Sequence, residues 1–161
     1  MLSKTSIEEE KTTSVDKIGG SKRKMDEYFH IIETDNDIYS IILSLRSMVD
    51  RHHFSDADKQ RIHVCALEMT KNVLRHSGSK GRFSCYTIED VGIIMKIVDF
   101  GRGIANIDEL LNGEKVEGTK GLGLGLVGSK RLMDQFFVHT SDKGTQIIAV
   151  KWMTNLKVLV K

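Results

Sequence analysis

Apolar residues recur along the chain at two spacings, which predict a definite order of strands and helices. Runs of β-branched and aromatic residues are typical of strands, whereas apolar residues three and four positions apart are typical of amphipathic helices. Strands are predicted over 27–33, 82–89, 91–100, 135–141 and 145–153, and helices over 34–52, 55–77, 106–113 and 124–134. The order β-α-α-β-β-α-loop-α-β-β indicates an α+β fold, with helices covering one face of a mixed, mostly antiparallel sheet.

Two segments lack this periodicity. Residues 1–24 are rich in Lys, Glu, Ser and Thr with isolated apolar residues. Because such a segment buries little surface against its ordering entropy, we expect a flexible N-terminal tail ahead of one domain over 25–161. Residues 114–125 form a charged, glycine-rich stretch that predicts a loop.

Composition and charge narrow the class of protein. Of 161 residues, 40% are hydrophobic and 29% are charged, which is ordinary for a soluble globular domain. The 24 basic and 22 acidic residues nearly cancel, so we expect neither nucleic acid nor a membrane surface as a partner. Two cysteines without a C-x-x-C spacing favour a reducing, cytoplasmic compartment over a disulfide framework or a zinc site.

A carboxylate and a carboxamide lie one turn apart on the second predicted helix. Glu68 and Asn72 follow the edge of its apolar stripe, with Arg75 and His76 a further turn along. Taken alone, an E-x-x-x-N pair is more often a solvated polar face than a site. The edge of the stripe places this pair beside the predicted sheet, which makes it a candidate.

A second candidate begins at Asp99, directly after the strongest predicted strand. Gly101 and Gly103 follow it, and glycine lets a flat ligand approach the backbone closely. A lone D-x-G-x-G is more often a turn closed by the aspartate side chain.

The third candidate is the glycine-rich run over 118–126, which leads into the fourth predicted helix. Successive backbone N–H groups and a helix N-terminus form a concavity that suits a polyphosphate. A dinucleotide-binding fold needs a strand immediately before G-x-G-x-x-G, and a polar loop stands there instead. The run does not end in Gly-Lys-Ser/Thr, which excludes a Walker P-loop.

In this order and spacing, the three segments resemble the N, G1 and G2 boxes of the GHKL ATPase superfamily (gyrase, heat-shock chaperone, histidine kinase and MutL). The resemblance covers residues 28–153. Within the superfamily the chain looks like an anti-sigma-factor serine/threonine kinase. The run Gly-Ser-Lys-Arg-Leu-Met-Asp-Gln-Phe over 128–136, with 144–145 and 149–152, is most similar to the stressosome switch kinases. The resemblance implies the Bergerat ATP-binding fold, a two-layer α/β sandwich.

The resemblance implies a binding site for ATP. The residue matching Asp99 accepts a hydrogen bond from the adenine amino group, and Thr145 supports the same base through water. Ile104 would line the adenine slot together with Gly101 and Gly103.

The resemblance also implies Mg²⁺ and a closing lid. Asn72 matches the Mg²⁺ ligand, and phosphates and waters would complete the octahedron. Glu68 matches the base that orients a serine hydroxyl and takes its proton. The lid around the phosphates would comprise Thr119, Lys120, Gly121, Leu122, Gly123, Leu124 and Gly125, with Lys120 near the γ-phosphate.

The implied function is that of a protein-serine kinase in a bacterial partner-switching pathway. Its substrate would be a serine on a STAS-domain antagonist protein, and a further target, a phosphatase or a sigma factor, would be regulated by contact. The resemblance leaves a homodimer open. Val127 stands where such kinases usually carry proline, and the tail over 1–24 has no counterpart, so the identity of the partner stays undecided.

Three other functions remain as alternatives. A regulatory module could bind ATP and control a phosphatase or sigma factor without phosphotransfer, but it would have no need of Glu68. A sensor histidine kinase would require an upstream dimerisation helix pair, for which residues 1–27 are too short and too polar. A metal hydrolase would use His52, His53 and His63, but no H-E-x-x-H motif is present, and adjacent helical positions point to different faces. We therefore interpret these residues as surface histidines.

Overall fold

The computed structural model describes residues 23–113 and 122–153, and for residues 122–124 it describes the backbone alone. Its strands are β1 (Met25–Ile32), β2 (Gly81–Ile88), β3 (Gly92–Asp99), β4 (Gln135–Ser141) and β5 (Gly144–Trp152). Its α-helices are α1 (Asp35–Asp50), α2 (Asp56–Asn72), α3 (Ile107–Leu111) and α4 (Leu122–Leu132), and a π-helix, Val73–Ser77, continues α2. The described elements follow the predicted order. Residues 1–22 of the predicted tail and 114–121 of the predicted loop lie outside the described part.

The strands form one sheet in the order β1-β2-β3-β5-β4. The predicted α+β class is confirmed. The sequence predicts a mixed, mostly antiparallel sheet, but all four strand pairings of the described sheet are antiparallel. The reason lies in the topology. β4 runs in the same direction as β3, but β5 inserts between them, and no parallel pair forms.

One face of the sheet packs against the helices. Alternate residues of the central strands point to this face and are buried against α1 and α2: Phe83, Cys85, Ile93, Met95, Ile97, Ile147 and Ala149 from the sheet, and Ile41, Leu45, Ile62, Cys65 and Met69 from the helices. The opposite face carries Phe29 and Phe137, which are about half exposed.

Both cysteines are free, and burial raises the pKa of each thiol to about 12. None of the described helices combines the length and the apolar character that crossing a membrane requires.

The first helix begins at a reciprocal cap. The Thr34 hydroxyl accepts a hydrogen bond from the Asp37 backbone N–H, while the Asp37 carboxylate accepts the N–H of Thr34. The same carboxylate accepts the N–H of Glu33 and lies 3.1 Å from Nε2 of His30. These hydrogen bonds, the one from Glu33 foremost, lower the pKa of Asp37 to about 2. The cap therefore fixes where α1 leaves β1.

A buried ammonium group joins β5 to the ends of α2 and α4. Lys151 is only 4% exposed, and its Nζ donates to the Leu132 carbonyl oxygen at 2.7 Å. Carboxylate oxygens of Asp134 and Asp58 lie 3.4 and 3.5 Å from the same Nζ. Because the last carbonyls of a helix lack helical partners, the ammonium caps the C-terminal end of α4.

We expect Lys151→Met to lower the free energy of unfolding by about 1–3 kcal/mol, because the Leu132 carbonyl oxygen loses its donor and the buried Asp58 loses a neighbouring cation, while Arg61 Nη1 stays 2.9 Å from Asp58 Oδ1. Urea unfolding at neutral pH measures the loss. The matched control is Lys130→Met on the exposed side of α4, which should change stability by no more than about 0.5 kcal/mol. Equal losses in the two variants would show that the buried cluster contributes nothing specific.

Candidate functional site

Glu68 and Asn72 meet the glycine segment of α4. The two side chains lie one turn apart on α2 and are partly buried, because α4 packs against this helix. A Cβ placed on Gly125 would lie 3.4 Å from Glu68 Oε2 and 3.7 Å from Asn72 Nδ2. The structure thus brings the first and third candidate segments into contact, and Glu68 and Asn72 do not form a merely solvated face.

The helix changes from α to π directly after Asn72. The sequence predicts one helix to Ser77, and the observed helix has this extent, but Val73–Ser77 is a π-helix. Such widened turns recur at functional sites. Nδ2 of Asn72 is buried and has no hydrogen-bond partner among the described residues. A buried donor without a partner is costly, so this amide is suited to a polar ligand.

Asp99 ends β3 directly opposite Thr145 of β5, and both side chains lie on the helix-covered face. Oδ1 of Asp99 accepts the N–H of Gly101 at 2.9 Å, which is the side-chain-closed turn typical of D-x-G-x-G. Within the described part of the chain, Oδ2 makes no hydrogen bond. One oxygen of Asp99 therefore shapes the loop, and the other is available to a ligand.

Gly101 and Gly103 are required by neighbouring backbone. A Cβ on Gly101 would overlap the carbonyl oxygen of Ser77 at the end of the π-helix. Gly103 has φ +79°, and a Cβ there would overlap the carbonyl oxygen of Ser141. The sequence analysis expects these glycines to admit a flat ligand. The close neighbours in the structure are protein backbone, because the loop runs between the end of the π-helix and the β4–β5 turn.

A residue that the sequence analysis missed, Thr140 of β4, connects the other members of this group. Its Oγ1 accepts the N–H of Ile104 at 2.8 Å and lies 2.9 Å from Oγ1 of Thr145. Thr140 and Thr145 are directly opposed in the β4–β5 hairpin. The predicted strands 135–141 and 145–153 would place residue 141 opposite Thr145, whereas the observed second strand begins at Gly144 and shifts the pairing by one residue, so the predicted strand limits did not indicate this contact.

The glycine-rich run is more helical than predicted. α4 begins at Leu122, so Gly123 and Gly125 lie inside the helix, whereas the sequence predicts a loop to residue 125. Each glycine costs a helix roughly 1 kcal/mol relative to alanine. At Gly125 a Cβ would meet Glu68 and Asn72 at ordinary van der Waals distances, so the packing of α4 against α2, and not the missing side chain, favours the helix. Thr119, Lys120 and Gly121 lie outside the described residues, as do the side chains of Leu122 and Leu124.

Other candidate side chains do not join the site. Arg75 and His76 are exposed, and in the described part of the chain neither forms an ion pair with Glu68. His52 is buried and contacts Asp26, a correction to its interpretation as a surface histidine. The described residues contain no group of three His, Cys, Asp or Glu side chains that could hold a metal ion. A metal here would rely on Asn72 and on oxygens from a ligand.

Known proteins resemble this chain over most of its length. The family model described as histidine kinase-like ATPase domain matches residues 33–151. The serine/threonine-protein kinase RsbT of Bacillus subtilis (strain 168) is 34% identical over 127 residues, which cover 76% of this chain and 93% of that protein. Among solved structures, the histidine kinase domain of the blue-light activated histidine kinase from Erythrobacter litoralis EL346 matches with a TM-score of 0.45 and 17% identity, over 78% of this chain and 68% of that chain.

We expect Gly103→Ala to destabilise the fold more than Gly78→Ala. Both residues have positive φ, at +79° and +64°, which costs an alanine roughly 1–2 kcal/mol. Only Gly103 is also crowded by Ser141, while a Cβ on Gly78 meets nothing within 4 Å. Comparing urea unfolding of the two variants isolates the crowding, and equal losses would contradict the close approach of this loop to β4.

Proposed function

The chain belongs to the histidine kinase-like ATPase family, and from this premise we propose that it is an ATP-dependent protein-serine/threonine kinase. Membership confirms the family resemblance predicted from the sequence. The observation that carries the proposal is the 3.4 Å approach of Glu68 Oε2 to a Cβ position on Gly125. In a chain 34% identical to a serine/threonine-protein kinase, this contact supports a carboxylate placed beside the proposed phosphate-binding segment.

The proposed adenine site is the group around Asp99. Oδ2 of Asp99 would accept a hydrogen bond from the exocyclic amino group of the base, while Oδ1 stays with Gly101. Thr145 lies opposite Asp99 and would support the same edge of the base. Ile104, which packs against the core, would contact the ring.

The proposed phosphate site is the group around Asn72 and α4. Oδ1 of Asn72 is a hard oxygen donor of the kind that Mg²⁺ takes together with phosphates and waters. The buried, unpartnered Nδ2 of the same amide would donate to a phosphate oxygen. Bound Mg²⁺ would neutralise phosphate charge. Gly125 and the residues before it, Thr119, Lys120, Gly121, Leu122, Gly123 and Leu124, are proposed to wrap the phosphates.

Phosphotransfer then requires only positioning and one proton acceptor. The serine oxygen of the substrate forms a bond to the γ-phosphorus as the bond from this phosphorus to the bridging oxygen breaks, and ADP leaves. Glu68 holds the serine hydroxyl by a hydrogen bond and accepts its proton. A carboxylate in this position would raise the rate by a factor of about 100 to 10,000, as general bases do.

The proposed substrate is a serine on a STAS-domain antagonist protein, within a partner-switching pathway whose further target is a phosphatase or a sigma factor. The relationship to RsbT supports this choice of pathway. A cytoplasmic location completes the proposal and agrees with two free cysteines.

We expect Glu68→Gln to lower phosphate transfer from γ-labelled ATP to the STAS-domain substrate about 100-fold or more, because the amide cannot take the serine proton. ATP affinity, measured by calorimetry, should stay within about threefold of the wild type, since an amide of the same shape remains beside Gly125. The substrate for the assay is the STAS protein recovered by pull-down and mass spectrometry. Glu89→Gln, at an exposed position, is the matched control.

Undiminished transfer by Glu68→Gln would exclude Glu68 as the base. ATP binding and partner binding by the wild type without any transfer would instead favour the regulatory-module alternative.

We expect Asp99→Asn to weaken ATP binding by at least about tenfold, with a smaller effect on unfolding. The asparagine Oδ1 keeps the hydrogen bond from Gly101, so its Nδ2 faces the amino group of the base, and two donors then oppose each other. Calorimetry with ATP and urea unfolding of the same samples make the comparison. Unchanged affinity would contradict the adenine assignment.

A further inference from the structure

We propose that Thr140 is a positioning residue for nucleotide specificity. It fixes the direction of the Thr145 hydroxyl, so that this hydroxyl donates toward the nucleotide base and selects adenine over 6-oxopurines. The inference rests on the proposed ATP site. It concerns a residue that touches the loop and Thr145, and acts on the base only through Thr145.

The hydrogen bonds around Thr140 determine this direction. A hydroxyl has one proton to donate and two lone pairs. The N–H of Ile104 can only donate, so at 2.8 Å it occupies a lone pair of Thr140 Oγ1. The acceptor that the described residues offer to the Thr140 proton is Oγ1 of Thr145, 2.9 Å away. Ile104 therefore donates to Thr140, Thr140 donates to Thr145, and the hydroxyl proton of Thr145 remains for a ligand.

Burial stabilises this direction of the hydrogen bonds. Thr145 is only 5% exposed, and Thr140 is partly buried beneath the loop that carries Ile104. Few waters can compete for the Thr145 hydroxyl, and hydrogen bonds in such surroundings polarise one another. Reversing the Thr140–Thr145 hydrogen bond would leave the Thr140 proton without an acceptor among the described residues, which is costly for a hydroxyl shielded from water.

The result is an acceptor and a donor side by side. Oδ2 of Asp99 only accepts, and Thr145, directly opposite in the sheet register, donates. Adenine presents the complementary pair, an amino donor at C6 and an acceptor at N1. A 6-oxopurine presents the reverse pair, an acceptor at C6 and a donor at N1. Thr145 therefore adds discrimination to that of Asp99, either directly or through one bridging water.

The test compares ATP with inosine triphosphate, which differs from ATP only in this donor and acceptor pair. Dissociation constants of both nucleotides are measured by calorimetry with Mg²⁺, on the full chain. Thr140→Val keeps the shape of the side chain but removes the oxygen, so we expect the ATP preference over inosine triphosphate to fall by at least about fivefold, through weaker ATP binding. Thr140→Ser keeps the hydroxyl and should stay within about twofold of the wild type.

Thr87→Val is the control for the substitution itself. Thr87 lies buried in the same sheet, and its hydroxyl has no hydrogen-bond partner among the described residues, so this variant should leave both affinities unchanged. If Thr140→Val fails to fold, Thr140→Cys makes the same test, because a thiol is a weak donor and acceptor.

A purely structural role of Thr140 predicts a lower free energy of unfolding with the nucleotide preference unchanged, and that result would overturn the inference alone. A wild-type chain that binds neither nucleotide would overturn the proposed function, and the inference with it.

Discussion

The approach of α4 to α2 at Gly125 is the contact on which the rest of the site depends. It joins Glu68 and Asn72, on a helix packed over the centre of the sheet, to a glycine segment far along the chain. The π-helix after Asn72 then leads to Ser77, whose carbonyl lies against Gly101 in the loop that follows Asp99. The π-helix and its backbone contact with Gly101 thus connect the proposed phosphate site with the proposed base site.

The base site depends on a different constraint, the register of an antiparallel sheet. Asp99 opposes Thr145, and Thr145 opposes Thr140, so three residues from three strands lie in one row. A shift of one residue in either pairing would turn these side chains to the opposite face. The site geometry therefore follows from the same hydrophobic alternation that buries the core.

The sequence predicted the order of elements and the candidate residues, because both depend on local spacing. Runs of β-branched and aromatic residues, and apolar residues three and four positions apart, predicted the strands and α-helices of the described part. The family resemblance that singles out Glu68, Asn72 and Asp99 rests on the order and spacing of the segments that carry them. Tertiary packing decided the rest. Gly123 and Gly125 are helical because α4 rests on α2, and Gly101 and Gly103 accommodate Ser77 and Ser141, which no local pattern indicates.

The buried ammonium of Lys151 anchors α4 at its C-terminal end. This helix of 11 residues is roughly 16 Å long at about 1.5 Å per residue, and it is held at Leu132, the end remote from Glu68. A tilt of about 10° around that end would move the other end by about 3 Å, which exceeds the variation in donor–acceptor distance that a hydrogen bond allows. The position of the glycine segment beside Glu68 thus depends on a hydrogen bond at the opposite end of the helix.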